Sequence, residues 1–168
     1  NLAKQIENSR LYGVPCVVAI NRFSTDTAKE IAALRRSALE HGAFDCIVSD
    51  LYRCGSAGGM ELARAVVIAA QGKPRLNFLY PSEMPIKEKI ETIARRVYGA
   101  GSVHFDKTAN ESISDYMRLG YGKLPICMAK THLSLSHDPL LKGAPRHFTL
   151  PVRDVRPSIG AGFLYAIC

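Results

Sequence analysis

No stretch of the 168-residue chain approaches the roughly 18 consecutive apolar residues that a membrane-spanning helix needs. The opening Asn1-Leu2-Ala3-Lys4 is not a signal peptide either, so no membrane partner is expected. Phosphate-loop fingerprints are missing as well, since neither G-x-x-x-x-G-K-[ST] nor G-x-G-x-x-G occurs. Gly160-Ala161-Gly162 is a lone G-x-G and reads as a turn. Ala129-Lys130-Thr131 has the ending of a phosphate loop without its glycines. The five cysteines include no C-x-x-C pair, which argues against a disulfide frame or a zinc site. Cys16, Cys46 and Cys127 sit in apolar runs and read as reduced core residues of a cytosolic or organellar matrix protein. Among the five histidines only His132 and His137 come close together, in one loop, so no metal site is expected. Ser134, Ser136, His137 and Asp138 are too near in sequence to form a nucleophile–base–orienter chain and read as turn chemistry.

Charge of one sign is also scarce in runs. The net +7 favours an anionic partner, yet Arg35-Arg36 and Arg95-Arg96 are isolated pairs with no interleaved aromatic platform. Nucleic acid is therefore not the expected partner. A solvated basic surface is the plain reading, with phosphates or carboxylates of small substrates next.

What is present is an α/β pattern. The length suits one compact domain, or a domain plus part of another, burying roughly 70% of its unfolded surface. Gly13 to Thr27 organises the rest. Gly13-Val14-Pro15 stops a helix that covers Asn1 to Tyr12, because Pro15 cannot continue it. Cys16 to Ile20 is a short apolar run that fits a strand buried on both faces, as in parallel sheets. Asn21-Arg22-Phe23-Ser24 ends it, and Thr27 with Glu30 has capping-box spacing for a helix reaching His41, with Ile31, Leu34 and Ala38 inward. Phe44 to Ser49 is a second strand. Asp50 to Gly58 is a small-residue loop leading into a helix from Gly59 to Gln71, with Leu62, Val66 and Ala70 inward. Gly55, Gly58 and Gly59 there form a candidate anion-binding loop, although turn geometry alone also calls for such glycines.

Lys73 to Met84, with Pro74 and Pro81, has the composition of a connector, and a domain change is placed here: residues 1–75, then 76–168. Beyond it, Ile86, Ile90, Ile93 and Val97 form the core stripe of a helix closed by Gly99. A further helix is expected from Thr108, in a capping box with Glu111, to Leu119. Leu124 to Ala129, Phe148 to Val155 and Gly162 to Ile167 read as strands, with Pro151 marking an edge or bulge.

Two loop aromatics carry the constructive signal. Phe23 follows the first strand and Tyr52 the second, so neighbouring parallel strands would present both rings at one sheet edge, where open α/β sheets bind ligands. The rings could flank a flat ligand, and Asn21 could serve the polar edge of a purine. On position alone, loop residues that satisfy a turn and cover the core stand equally open.

These residues carry a family likeness. Gly13-Val14-Pro15, Val17-Val18-Ala19-Ile20-Asn21, Phe23 and Thr25-Asp26-Thr27 resemble formate–tetrahydrofolate ligase (10-formyltetrahydrofolate synthetase). So do Pro85-Ile86-Lys87-Glu88-Lys89-Ile90, the run Leu124 to His137, and Arg153-Asp154-Val155-Arg156 with Gly160-Ala161-Gly162-Phe163. The run Leu124 to His137 and Gly42-Ala43-Phe44-Asp45 look most like the synthetase domain of eukaryotic C1-tetrahydrofolate synthases. The resemblance implies ATP-dependent joining of formate to tetrahydrofolate through formyl phosphate, giving 10-formyltetrahydrofolate, ADP and phosphate. ATP, with Mg2+, and tetrahydrofolate are then substrates, with no tightly bound cofactor, in a homo-oligomer. It implies part of a P-loop-type parallel-sheet nucleotide-binding domain followed by a smaller α+β subdomain. It places Phe23 and Tyr52 around the folate ring, Val48 and Ser49 on the folate side, and Asn21 and Ser24 beside the adenine of ATP.

Tyr52 stands where the family has Trp, Ser24 where it has Pro, and Gly55-Ser56-Ala57 where it has Gly-Gly-acidic. The family's P-loop falls upstream of Asn1, so the chain is expected to be an interior segment of a longer protein, inactive alone. The expected location is cytoplasmic, with mitochondria as the alternative. A non-catalytic truncated paralogue acting as a binding or assembly partner is the competing reading.

Overall fold

The structure, a computed structural model, describes residues 1–73, 75–128 and 135–168. Pro74 of the connector and the segment containing Ala129-Lys130-Thr131, His132 and Ser134 lie outside the described residues. The chain is α/β with small, mainly parallel sheets. It divides into two units, Leu2–Asn77 and, with Asn1, Phe78–Cys168.

In the first unit, helix α1 (Leu2–Leu11) ends at Gly13, whose φ of +72° suits glycine. A Cβ there would also sit 1.9 Å from the Arg75 carbonyl oxygen, so this close approach requires the missing side chain. Strand β1 (Val17–Asn21) pairs in parallel with β2 (Asp45–Ser49) through helix α2 (Ala28–Glu40). The expected capping box is present. The Glu30 N–H donates to Thr27 Oγ1, and the Thr27 N–H donates to the Glu30 carboxylate at 2.9 Å. The Thr27 N–H and then its hydroxyl hold the Glu30 pKa below the usual carboxylate value. Ile6, Ile20, Ala38, Ala43 and Cys46 make the core.

Three expectations fail here. β1 is not buried on both faces, for Ile20 is buried while Ala19 and Asn21 are exposed. The sheet has two strands, so β1 has one ladder neighbour, and the helices cover it only in part. In α4 (Met60–Ala70) the buried residues are Ala65 and Ala69, with Val66 and Ala70 exposed. Small alanines let this helix lie close to the strands, which turns Val66, Val67 and Ile68 outward. In α2, similarly, Ala38 is buried and Leu34 exposed.

The second unit has the larger core. Helix α5 (Ile86–Ile93), extended by a π turn to Tyr98 and closed by Gly99, packs the expected stripe Ile86, Ile90 and Ile93. Strand β3 (Ser102–Phe105), unforeseen in the sequence, pairs in parallel with β5 (Thr149–Val152). Helix α6 (Lys107–Arg118) begins one residue before the expected Thr108, with Asp106 at its N-cap and no side-chain cap bond, so the Thr108–Glu111 capping box does not form. Strand β4 (Ile126–Met128) pairs in parallel with β7 (Phe163–Ile167), which runs antiparallel to β6 (Asp154–Ser158). The single strand expected from Phe148 to Val155 is thus two, broken at Arg153, each serving a different sheet. Gly162, at φ +74°, turns β6 into β7 as expected. Cys127 is exposed, contrary to the core reading, because β4 lies at the edge of its sheet and turns that side chain outward. Cys46 is buried, and burial pushes its thiol pKa up.

Lys89 is fully buried among these residues. Its ammonium donates to the carbonyls of Gly122 and Leu124 at 2.8 and 3.0 Å, which offsets part of its desolvation. Burial lowers its pKa, against a raising contribution from Glu83.

Candidate functional site

The parallel register decides where the expected site residues lie. Asn21 is opposite Ser49, so β1 and β2 end together. The ladder continues one step further, for the Arg22 N–H donates to the Ser49 carbonyl at 3.0 Å. Both connections therefore leave the carboxyl end of the same two-stranded sheet.

Phe23 leaves β1 in a turn locked by Asp26. The Phe23 N–H donates to the Asp26 carboxylate at 2.8 Å, and the Asp26 N–H returns to the Phe23 carbonyl at 3.1 Å. The backbone is held while the ring points away from the core, 69% exposed. Ser24 and Asn21 are exposed beside it. The residue pattern gives Asp26 no role at the site, although an Asp three residues beyond Phe23 is a turn-closing pattern.

The connection after β2 is more ordered than the loop that composition suggests. Leu51–Cys54 is a short helix, α3, followed by a 3₁₀ turn over Gly55–Gly59 that runs into α4. Tyr52 sits on α3 and is fully exposed. Asp50 organises this corner. Its N–H donates to the Gly58 carbonyl at 3.1 Å, its carbonyl accepts from the Cys54 N–H at 2.9 Å, and its carboxylate pairs with Arg53 at 2.5 Å. A Cβ on Gly58 would lie 2.3 Å from the Asp50 carbonyl oxygen, and one on Gly59 2.8 Å from Leu51 Cδ2. Those two glycines thus serve the turn's own packing. Gly55 has φ +55° and open space around it. Val48 is half-buried and Ser49 is buried.

At one sheet end, then, the structure sets two exposed rings and an exposed amide on backbones held by hydrogen bonds. Such a surface can stack a flat heterocycle and read its polar edge. Among the described residues no group of three or more His, Cys, Asp or Glu side chains could hold a metal ion. The Ser136 hydroxyl donates to the Asp138 carbonyl at 2.8 Å, a turn contact. No helix among the described residues is long and apolar enough to cross a membrane.

Comparison with known proteins converges on one family. The profile of the family described as formate–tetrahydrofolate ligase matches residues 1–168. The chain is 55% identical over 168 residues to the formate–tetrahydrofolate ligase of Saccharopolyspora erythraea, covering 100% of this chain and 30% of that protein. It is 48% identical over 167 residues to human cytoplasmic C-1-tetrahydrofolate synthase, covering 99% of this chain and 18% of that protein. For the mitochondrial C-1-tetrahydrofolate synthase of Saccharomyces cerevisiae the identity is also 48%, covering 99% of this chain and 17% of that protein. The chain thus spans a third or less of the length of these relatives, and it belongs to the formate–tetrahydrofolate ligase family.

Proposed function

We propose that this chain contributes folate and adenine contacts to a formate–tetrahydrofolate ligase. The reaction joins formate to tetrahydrofolate at the expense of ATP, through formyl phosphate, giving 10-formyltetrahydrofolate, ADP and phosphate. The observation that carries this is the shared end of β1 and β2, with Phe23 and Tyr52 exposed on the two connections leaving it. In this reading the two rings hold the faces of the pterin, Val48 and Ser49 lie on its side of the strand end, and Asn21 and Ser24 meet the adenine. Gly55, Gly58 and Gly59 form the turn nearest the anionic part of the substrates. Each ring contact is worth about 0.5–1.5 kcal/mol beyond the area it buries.

Residues 1–75 are then the C-terminal part of a P-loop-type nucleotide- and folate-binding domain, and 76–168 a smaller α+β subdomain. Transfer of a phosphoryl group needs a phosphate cradle and cationic clamps around it. ATP arrives with Mg2+, which shields the phosphate charge. The residues assigned here only bind and orient the base and the folate ring. We read the working enzyme as a homo-oligomer in the cytoplasm, and this chain as inactive without the remaining part of a ligase.

Titration of tetrahydrofolate against the chain and its Phe23→Ala variant tests the reading. Affinity should fall about tenfold, with unfolding unchanged because the ring is exposed. Equal affinities would end the stacking assignment. An ATP- and formate-dependent assay of 10-formyltetrahydrofolate should be negative for the chain alone and positive once the rest of a ligase is supplied. No folate binding by an intact fold would favour the non-catalytic assembly partner.

A further inference from the structure

The second unit contains a cleft of about 570 Å³ between the Phe78–Ser82 segment and the backbone around Lys123–Pro125. Small-molecule sites commonly enclose roughly 300–1,000 Å³ behind mostly apolar walls carrying a few placed polar groups. Here the walls are Phe78, Tyr80, Pro81 and Pro125, all flat-sided, with Lys123 as the charged group.

Three sets of bonds hold the opposing walls. The Ile126 N–H donates to Tyr80 Oη at 3.0 Å, which ties the ring to the start of β4 just beyond Pro125. The buried Lys89 ammonium holds the Gly122 and Leu124 carbonyls, on either side of Lys123, and stands 5.9 Å from the centre of the Tyr80 ring. The other end of the Phe78–Ser82 segment is held by Arg96, whose guanidinium donates to the Leu79 carbonyl at 3.3 Å. A cleft with its walls bonded in place gives up little conformational freedom when it is filled.

The local charge is predominantly positive. Lys89, Arg96 and Lys123 surround the site, and the neighbouring carboxylate is Glu83. That carboxylate already accepts from the Ser82 hydroxyl at 2.8 Å. The Ser82 contact is the main reason its pKa lies below the ordinary value, with Lys123 and Lys89 adding to the effect. Among the described residues Lys123 forms no salt bridge, so its ammonium is available at the rim.

We propose that this cleft binds a flat aromatic anion, an arenecarboxylate with its ring against Phe78, Tyr80 and the two prolines and its carboxylate on Lys123. An aliphatic ring lacks the flat π-face that these walls stack, and an aromatic cation would meet the wrong charge. The site lies in the second unit and uses none of the residues assigned to folate or adenine, so it goes beyond the ligase reading.

The test is calorimetric titration, with saturation-transfer NMR, of the 168-residue chain against 2-naphthoate and its neutral analogue 2-naphthamide. Naphthoate should bind saturably and more tightly than the amide. Lys123→Ala should weaken naphthoate about threefold and erase its preference over the amide, while Lys123→Arg retains it. Phe78→Ala, at an exposed position, should weaken both probes about fivefold. Phe23→Ala should leave both unchanged, which separates this site from the folate surface. Absence of saturable binding, equal affinity for acid and amide, or indifference to both the Lys123→Ala and Phe78→Ala changes would overturn the proposal. So would naphthoate being displaced by a neutral proline-rich peptide, the other ligand that aromatic–proline grooves accept.

Discussion

The two units use apolar residues in opposite ways. In Phe78–Cys168 the large aliphatic side chains Ile86, Ile90, Val152, Val155 and Leu164 are buried almost completely, and strands from two sheets close over them. In Leu2–Asn77 the core is small, and α4 leaves Val67 58% and Ile68 56% exposed. The second unit's stability should therefore rest on interior packing. The first depends more on backbone devices: a capping box, a glycine stop and two loops locked by Asp26 and Asp50. Those devices hold the segments that carry Phe23 and Tyr52. A binding surface at a sheet end needs a steady backbone under exposed rings, and such hydrogen bonds supply it without burying the rings.

The contrast can be broken most directly by paired truncations. Ile90→Ala should cost about 3–4 kcal/mol in urea unfolding, the usual range for a buried aliphatic side chain. Ile68→Ala in α4 should stay within about 0.5 kcal/mol. Comparable losses for the two would show that the exposed face of α4 carries as much stability as the α5 stripe. Next in size, Gly58→Ala forces a methyl into the Asp50 carbonyl and should cost about 1–3 kcal/mol, as overpacking does. Because the same turn carries Tyr52, tetrahydrofolate titration should register it too. A neutral result in both measurements would mean the Asp50 corner is not rigid.

Thr27→Ala removes one half of the capping box and should destabilise the first unit by about 1 kcal/mol. Chemical denaturation followed by hydrogen exchange would place the loss in α2 and leave α5 protected. The smallest effect concerns acid. Asp154 is partly buried, which alone would raise its pKa, but hydrogen bonds from Arg156, Ser112 and the Val155 N–H together hold it below the ordinary 3.8. A carboxylate whose folded pKa is depressed contributes stability that is complete above the unfolded value and is lost as pH falls through the folded one. Stability of the second unit should thus decline below about pH 4, and less steeply in Asp154→Asn. Parallel slopes for variant and parent would remove Asp154 from the account.

Much of this architecture could be read from residue order. Periodicity located the Ile86, Ile90, Ile93 stripe, and Thr27 with Glu30 announced the start of α2, because those signals are local and complete within a few residues. The failures share a cause. Val66 and Leu34 fit a helical spacing yet face outward, since which side of a helix is covered depends on what lies across from it. β3 is short and has alternating exposure, and its pairing partner β5 lies more than forty residues away in sequence. The Phe148–Val155 run looked continuous, and its division between two sheets leaves no local mark.

The same division holds for the candidate site. Phe23, Tyr52 and Asn21 stand out in sequence because a polar or aromatic residue within a few positions of the end of an apolar run is conspicuous. The anchoring role of Asp26 and Asp50, and the use of Gly58 for a close backbone approach, came from hydrogen bonds and clearances that composition does not encode.

Residue order alone therefore settled the family, the strand–helix–strand unit and the residues that follow β1 and β2, because these depend on chemistry carried within short segments. The folded chain decided which apolar faces are covered, that β1 and β2 end in register, and that a buried lysine and a tyrosine hydroxyl brace a cleft. Those outcomes depend on which distant segments meet, and hydrogen bonding and burial are properties of pairs that no single stretch of sequence contains.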